Sequence, residues 1–310
     1  MGGNDERRGL TAAIASFLLW GAMPLYWHLL KSVPALQILL HRVVWSTLLV
    51  GGWLLWREGH AWLRVLARLR VAGMLAASGL LIGANWGLYI WSVNNGHVVE
   101  SSLGYFINPL LSVLLGVAFL RERLTRAQWA SVAVATLGVL WLTLRFGQLP
   151  WIALALAVTF ALYGLIRKLV AVDAMAGLAI EGGYLLLPAL AVLGWSELHG
   201  AGGFLALGGS GYGATRDVLL VASGALTALP LIGFAYGVRR VPLSVIGLLQ
   251  YISPTLQFLI GVFAFHETFD RDRAIGFAFI WTALAMFALD GWRRSRRAAV
   301  RVGAAVVEAD

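Results

Sequence analysis

Three ionisable side chains stand inside long apolar stretches of this sequence. His41 and Arg42 follow the run ALQILL, and Glu181 follows AGLAI. A guanidinium among apolar residues needs an anion nearby, because an unpaired charge is costly there. The three residues therefore predict a functional site in which Arg42 either pairs with Glu181 or binds the carboxylate of a ligand. Glu181 could also bind and release a proton, and a purely structural Arg42–Glu181 pair is the alternative.

Polar and aromatic side chains recur at helical spacing in three other apolar stretches. In each stretch they would share one face of a helix. Such a face avoids lipid, because an amide without a hydrogen-bond partner is costly there. The pattern predicts either interhelical hydrogen bonds or the lining of a cavity. The residues that share a face are Asn85 and Tyr89, with Trp86 beside them, then Ser101, Tyr105 and Asn108, and finally Gln250, Ser253 and Gln257. Tyr251, next to Gln250, is also expected at the cavity.

The composition indicates which solvent surrounds these residues. Of the 310 residues, 60% are hydrophobic and only 13% are charged, and the mean hydropathy is +0.79. A soluble domain carries about 25% charged residues, so the composition predicts an integral membrane protein. The chain contains no cysteine, so it has neither disulfides nor thiolate metal ligands. We expect no metal and no cofactor. The N-terminal segment MGGNDERRGL enters an apolar stretch directly, which predicts no removable signal peptide.

Ten segments are apolar enough to cross a bilayer as helices, which takes about 20 residues each. The connections between them are short, so no soluble domain is expected between the spans. The predicted spans are residues 9–30, 34–56, 69–92, 97–120, 125–145, 149–167, 175–196, 217–238, 242–265 and 274–291.

The basic residues predict the orientation of these spans. With the N-terminus placed in the cytoplasm, 18 Lys and Arg residues fall on the cytoplasmic side and five on the opposite side. This asymmetry favours both termini inside. Topology thus accounts for the net charge of +9, and nucleic acid is not expected as a partner.

One stretch of the chain occurs twice. Residues 103–117, LGYFINPLLSVLLGV, and residues 248–262, LLQYISPTLQFLIGV, are identical at seven of 15 positions without a gap. The same register pairs Glu122 with Glu267. The first copy lies in span 4 and the second in span 9, which cross the membrane in opposite directions. Duplication of a five-span unit explains this inversion, and inverted repeats are typical of transporters that work by alternating access.

Further pairs agree with the duplication. FLLWG at 17–21 resembles FALYG at 160–164, which pairs Trp20 with Tyr163. These two aromatic residues would face a shared cavity from spans 1 and 6. Pro109 and Pro254 lie inside spans 4 and 9, where each removes a backbone hydrogen bond and is expected to kink its helix. They predict either packing kinks or hinges beside the cavity.

The segment ANWGLYIWSVNNGHVVESSLGYFINPLLSVLLG at 84–116, with LLHRVVWS at 39–46 and LLQYISPTLQF at 248–258, resembles the RarD-type branch of the drug/metabolite transporter superfamily, whose domains are called EamA. The resemblance extends from about residue 7 to 291. It implies an all-α polytopic membrane protein with ten transmembrane helices in two inverted five-helix repeats. Helices 5 and 10 would be peripheral, and a central cavity would lie among the others. One departure is Arg121–Glu122, where the family usually has Gly-Glu after span 4.

The resemblance also implies a function and a location. Members of the superfamily export amino acids, including aromatic ones, and other small metabolites, and the branch is named from a link to chloramphenicol sensitivity. We therefore expect a secondary-active exporter in the bacterial inner membrane, embedded in lipid as a monomer. The expected domains are 1–146 and 147–292, one repeat each, and a basic cytoplasmic tail at 293–310.

Two other classes of function remain as alternatives. A facilitative uniporter or channel for small solutes would use the same spans, although no ring-forming acidic filter is evident. A membrane enzyme would need clustered catalytic groups, and the nearest candidate, His266–Glu267, lacks a second ligand. Direct use of ATP is not expected, because the chain has no Walker loop.

Overall fold

The computed structural model describes residues 3–94, 97–146, 150–207, 211–264 and 271–307. Within these ranges eleven α-helices and two short 3-10 helices form the fold. The 3-10 helices are Ala61–Ala67 and Phe204–Ala206. The α-helices are α1 (Gly3–Leu29), α2 (Ala35–Glu58), α3 (Leu69–Asn94), α4 (Val98–Leu120), α5 (Arg126–Phe146), α6 (Trp151–Leu169), α7 (Ala174–Leu198), α8 (Ala214–Val238), α9 (Leu243–Leu249), α10 (Ile252–Ala264) and α11 (Arg271–Val307).

The described helices account for all ten predicted spans. Nine are long and apolar enough to cross a membrane, with α9 and α10 together forming one of them, and α11 contains a shorter apolar helix, Ala274–Asp290. Large apolar side chains such as Leu187 and Leu144 stand 76% and 77% exposed on the outside of the bundle, where lipid would cover them. The fold class is therefore an all-α polytopic membrane protein.

The packing of the helices follows the sequence repeat. The helices α1, α2, α3, α4 and α5 are equivalent to α6, α7, α8, the α9–α10 span and α11. When every helix is replaced by its equivalent, each main helix–helix contact corresponds to a contact that the fold also makes. The helix α1 packs against α8 and α10, and its equivalent α6 packs against α3 and α4. Equivalent helices also meet each other, since α2 packs against α7, α4 against α9, and α5 against α11. This exchange symmetry is the packing that two inverted five-helix repeats produce.

The two copies of the repeated motif differ in one respect. The helix α4 continues through Pro109, whereas span 9 is interrupted at Gln250–Tyr251, just before Pro254 in the first turn of α10. Proline has no N–H to donate to the carbonyl four residues earlier, and its ring crowds that carbonyl. The Gln250 carbonyl instead accepts the Ser253 N–H at 3.2 Å. The sequence predicted kinks at both prolines, and only the second one interrupts its span.

Candidate functional site

A cavity of about 190 Å³ lies between the two halves of the bundle. Its walls come from the C-terminal halves of α1 and α3, from the N-terminal halves of α2, α4 and α6, and from the middle of α8 and of the α9–α10 span. The described parts of the peripheral helices α5 and α11 contribute nothing to the lining, as the family resemblance implied. The cavity therefore extends from the middle of the bundle toward one end.

The cavity contains most of the residues predicted from the sequence and several that were not. Its predicted members are Trp20, Arg42, Asn85, Trp86, Tyr89, Tyr105, Asn108, Gln250, Ser253, Pro254 and Gln257. Unpredicted members include Phe17, Pro24 and Trp27, which share one face of α1 with Trp20. These four residues are spaced three, four and three residues apart, which places them on one face of a helix. This spacing could have predicted from the sequence that they line the cavity together.

Arg42 is held by aromatic rings and a hydroxyl. Its guanidinium carbon lies 4.9 Å from the ring centroid of Trp27 and 4.9 Å from that of Trp86. Its Nε donates to Thr227 Oγ1 at 3.0 Å. Faces of aromatic rings attract cations, so both indoles stabilise the guanidinium without neutralising its charge.

The predicted Arg42–Glu181 pair is wrong. Glu181 binds Arg167 instead, with 3.4 Å between Nη1 and Oε1, and Ser78 donates to the same carboxylate oxygen. Arg167, expected in a cytoplasmic segment, is only 1% exposed. It lies across Gly177 on α7, where an added Cβ would fall 1.8 Å from Nη1. The missing side chain of Gly177 is what lets Arg167 turn back into the bundle.

Amide side chains in the cavity wall join helices from both halves. Asn108 on α4 donates to Gln250 Oε1 at 2.8 Å, and Gln250 Nε2 donates to Ser112 Oγ at 3.2 Å. Asn85 on α3 donates to the Leu156 carbonyl of α6 at 2.8 Å. Ser253 on α10 donates to the Phe17 carbonyl of α1 at 2.7 Å. Both predicted roles are present, since these side chains bond between helices and line the cavity.

An aromatic cluster closes the cavity toward the middle of the bundle. The Trp20 ring lies 5.9 Å from Phe160 and 5.7 Å from Phe234, in tilted or edge-on geometry. Tyr163 stacks on the far side of Phe234 at 6.0 Å and is 1% exposed. Tyr163 was expected to face the cavity, but Phe160, one turn earlier on α6, occupies that position.

The remaining predicted residues lie away from the cavity. His41 is buried, accepts the Trp45 Nε1–H at 3.1 Å and faces the Phe204 ring at 4.5 Å. Tyr251, between α9 and α10, is buried, and its hydroxyl donates to the Phe106 carbonyl of α4 at 3.1 Å. Pro109 lies where α4 crosses α9, and a Cβ on Gly247 would meet its carbonyl oxygen at 2.7 Å. The side chain of Ser101 lies outside the described part of the structure. His41, Pro109 and Tyr251 belong to spans that border the cavity, but none of the three is part of its lining.

At the end of the bundle opposite the cavity, the halves are joined by Glu122. Its carboxylate accepts the backbone N–H groups of Leu243 and Ser244, at 2.7 and 2.8 Å, and so caps the N-terminus of α9. Lys168 Nζ lies 3.9 Å from the same carboxylate and donates to the Val238 and Val241 carbonyls. A carboxylate at a helix N-terminus is favourable because it pairs with unsatisfied N–H groups and the helix dipole. The loop that departs from the family pattern at Arg121 therefore makes a specific contact between the halves.

Acidic and histidine side chains of the described residues do not converge on a metal-binding arrangement. Over the part of the chain that the structure describes, no group of three or more His, Cys, Asp or Glu residues is placed to hold a metal ion. The chemistry available in the cavity is therefore recognition by one cation, amides, hydroxyls and aromatic faces.

Comparison with known proteins agrees with this architecture. A solved crystal structure with 22% sequence identity superposes with a TM-score of 0.68 over 93% of this chain and 99% of the other, which supports the fold. Residues 7–144 match the EamA-like transporter family.

Relatives similar over their whole length include transporters of several bacteria. "Protein RarD" of Streptomyces exfoliatus is 46% identical, over 97% of this chain and 95% of that protein. An "uncharacterized transporter" of Pseudomonas aeruginosa is 43% identical, over 94% and 96%. The "chloramphenicol-sensitive protein RarD" of Pseudomonas aeruginosa is 33% identical, over 95% and 98%. The chain is thus a membrane transporter rather than an enzyme, and it belongs to the EamA-like transporter family, as a RarD-type member of the drug/metabolite transporter superfamily.

Proposed function

We propose that this transporter is a secondary-active exporter of small amphipathic metabolites, such as amino acids and related compounds, in the bacterial inner membrane. The observation that carries the proposal is the cavity shared by two exchange-symmetric halves. It combines an aromatic wall with amides and one cation. Such a lining suits a small molecule with an apolar body and polar groups better than it suits a bare ion.

The distribution of basic residues supports the direction in which the cavity faces. With both termini in the cytoplasm, the end of the bundle nearest the cavity faces outward. The Glu122 contact and the Arg167–Glu181 pair then lie in the cytoplasmic half. In this arrangement the cytoplasmic half is closed and the site is oriented outward. If the two halves exchanged their packing arrangements, the cytoplasmic half would open, the outer half would close and the same site would face inward. This change is alternating access.

Efflux from proteoliposomes tests this function. The purified protein is reconstituted with preloaded radiolabelled amino acids, with and without an imposed pH gradient. Chloramphenicol joins the panel because one relative carries it in its name. We expect saturable efflux of at least one compound, which the gradient accelerates.

Two tryptophan substitutions supply the matched comparison. Trp20→Ala removes part of the cavity wall and should abolish efflux. Trp53→Ala removes a 41% exposed indole on α2 and should leave efflux unchanged. Saturable efflux that ignores every ion gradient would make the protein a uniporter. No saturable efflux of any compound would overturn the proposal.

We also propose that the protein acts as a monomer surrounded by lipid, with both termini cytoplasmic and no nucleic-acid partner. Reporter fusions at the two ends of the chain check the termini. A terminus that reports from the periplasm would reverse the direction in which the cavity faces.

A further inference from the structure

Arg42 is the only charged residue among the described residues that line the cavity. It is half-buried, and no carboxylate of a described residue lies within 4.0 Å of it. The one carboxylate predicted to neutralise it, that of Glu181, is already bound to Arg167 and Ser78. The cavity therefore holds a positive charge without a protein counterion in the described part of the chain.

The surroundings of Arg42 fix the guanidinium rather than neutralise it. Trp27 of α1 and Trp86 of α3 each approach within 4.9 Å, and Thr227 of α8 binds Nε. These contacts come from both halves of the bundle. The two Nη groups make no hydrogen bond to any described residue. The edge of the guanidinium that they form is therefore available to a ligand, and such an edge binds carboxylates through two parallel hydrogen bonds.

The rest of the lining limits the charge of a ligand. The described lining contains no Asp or Glu, so a ligand ammonium group would have no carboxylate to pair with. Near Arg42 the wall is aromatic because of Trp27 and Trp86, and Phe17, Trp20 and Phe160 add aromatic surface at the inner end of the cavity. One fixed cation beside aromatic surface matches one negative charge on an apolar body. A phosphate dianion would bring a second negative charge into a cavity whose described lining has no second cation.

We propose that Arg42 binds the carboxylate of the transported substrate and that the preferred substrates are monocarboxylates with an aromatic or branched apolar body. This rests on the proposed transport function and names the substrate class of its cavity. A zwitterionic amino acid binds less well than its deaminated acid, because its ammonium group loses water without gaining an anion. Neutral amphipathic compounds, chloramphenicol among them, gain nothing from Arg42.

Calorimetric titration of the purified protein in nanodiscs tests the assignment with four ligands of one shape. These are 3-phenylpropionate, phenylalanine, 3-phenylpropanamide and 2-phenylethylamine. We expect affinity to fall in that order. Arg42→Gln should weaken 3-phenylpropionate about ten- to hundredfold, the usual effect of losing a hydrogen-bonded charge partner. Arg42→Lys keeps the positive charge but loses the pair of parallel N–H donors. Its affinity for 3-phenylpropionate should therefore lie between those of the unaltered protein and Arg42→Gln.

The amide should bind Arg42→Gln as it binds the unaltered protein, which shows that the cavity of this variant is intact. The amine should bind this variant at least as tightly as the unaltered protein, because a like charge has been removed. Tighter binding of the amide or amine than of 3-phenylpropionate to the unaltered protein would overturn the assignment. So would binding of none of the four ligands, or undiminished binding of 3-phenylpropionate by Arg42→Gln.

The efflux assay separates this inference from the transport proposal. Saturable, Arg42-independent efflux of amines or neutral compounds would leave the exporter standing and overturn the carboxylate assignment. Arg42-dependent binding of carboxylates, with no efflux of any compound, would support the assignment and overturn the exporter.

Discussion

At the scale of single residues, the buried Arg167 and the half-buried Arg42 have different roles. Arg167 is matched by Glu181 inside the bundle, where both side chains are at most 2% exposed. Arg42 lies beside a cavity, where its partners among the described residues are the ring faces of Trp27 and Trp86 and the Thr227 hydroxyl. A paired buried charge is a structural element that is costly to break, whereas an unpaired one at a cavity is available to a ligand.

Breaking the Arg167–Glu181 pair should destabilise the protein. Arg167→Met leaves a buried carboxylate without its counterion, and we expect a loss of about 3 kcal/mol in the free energy of unfolding. The double variant Arg167→Met/Glu181→Leu removes both charges and should recover much of that loss. The measurement is equilibrium unfolding in mixed detergent–SDS micelles, followed by circular dichroism.

Arg64→Met is the control for this series, because Arg64 is exposed on the 3-10 helix between α2 and α3. It should change the unfolding free energy by less than about 0.5 kcal/mol. If Arg167→Met costs no more than Arg64→Met, the pair does not hold the two helices together.

Sequence reasoning located the charged residues but assigned their partners wrongly. The apolar surroundings of Arg42 and Glu181 were enough to predict that both are buried. Pairing them required the distance between two helices, which depends on where a glycine such as Gly177 permits close approach. Arg167 was counted among the cytoplasmic basic residues because it is the last residue of the predicted span 149–167, and nothing in the neighbouring sequence indicates that it turns inward.

At the scale of helices, close crossings of glycine against backbone hold the two halves together. Gly247 on α9 faces the Pro109 carbonyl of α4, where a Cβ would come within 2.7 Å of the oxygen. Gly224 on α8 faces Trp45 on α2 in the same way, with 2.5 Å to the backbone carbonyl carbon. Small residues at membrane helix crossings allow the backbones to approach and increase van der Waals contact.

Gly247→Ala should therefore destabilise the protein by about 1–3 kcal/mol, because backbone atoms must move to admit the methyl group. Gly51→Ala is the matched control, since Gly51 is also inside a helix and has open space around it. It should be neutral or stabilising by up to about 1 kcal/mol, because alanine favours the helix. Equal unfolding free energies for the two variants would show that the α4–α9 crossing tolerates a wider separation.

The spans themselves were largely predictable, since their length and apolarity are local properties. Most predicted ends fall within about three residues of the observed ones, although α1 starts at Gly3 rather than residue 9. A kink was expected at both Pro109 and Pro254, but not that only span 9 would be interrupted. Pro109 and Pro254 occupy equivalent sequence positions, so the difference between them depends on the neighbouring helices rather than on the motif. The helix α11 also runs past the expected boundary at 292 to Val307.

At the scale of the whole molecule, the two ends of the bundle are unequal. One end contains the cavity, and the other is closed by the Glu122 cap on α9 and by buried apolar side chains such as Phe234, Leu243 and Ile246. Exchange of the halves requires this closed end to open. The Glu122 carboxylate joins the segment after α4 to the first turn of α9, so it is one contact that must break.

Glu122→Ala should shift the population toward the packing in which this end is open. The native chain has no cysteine, so spin labels on Arg123→Cys and Arg239→Cys report one distance across the closed end. We expect a single distance with Glu122 present and an added longer distance without it. Arg145→Ala is the control, because the Arg145–Asp272 pair is exposed and peripheral. An unchanged distance distribution in Glu122→Ala would show that Glu122 caps a helix without holding the halves closed.

The central claim is that one cavity between two inverted halves opens to one face of the membrane at a time. Gln257→Cys places a single thiol in that cavity, and impermeant maleimide can be applied from either face in right-side-out and inside-out vesicles. We predict labelling from the outer face in the resting protein, and a transported substrate should raise labelling from the inner face at the expense of the outer. Simultaneous full labelling from both faces, or labelling from one face that no substrate changes, would contradict the account.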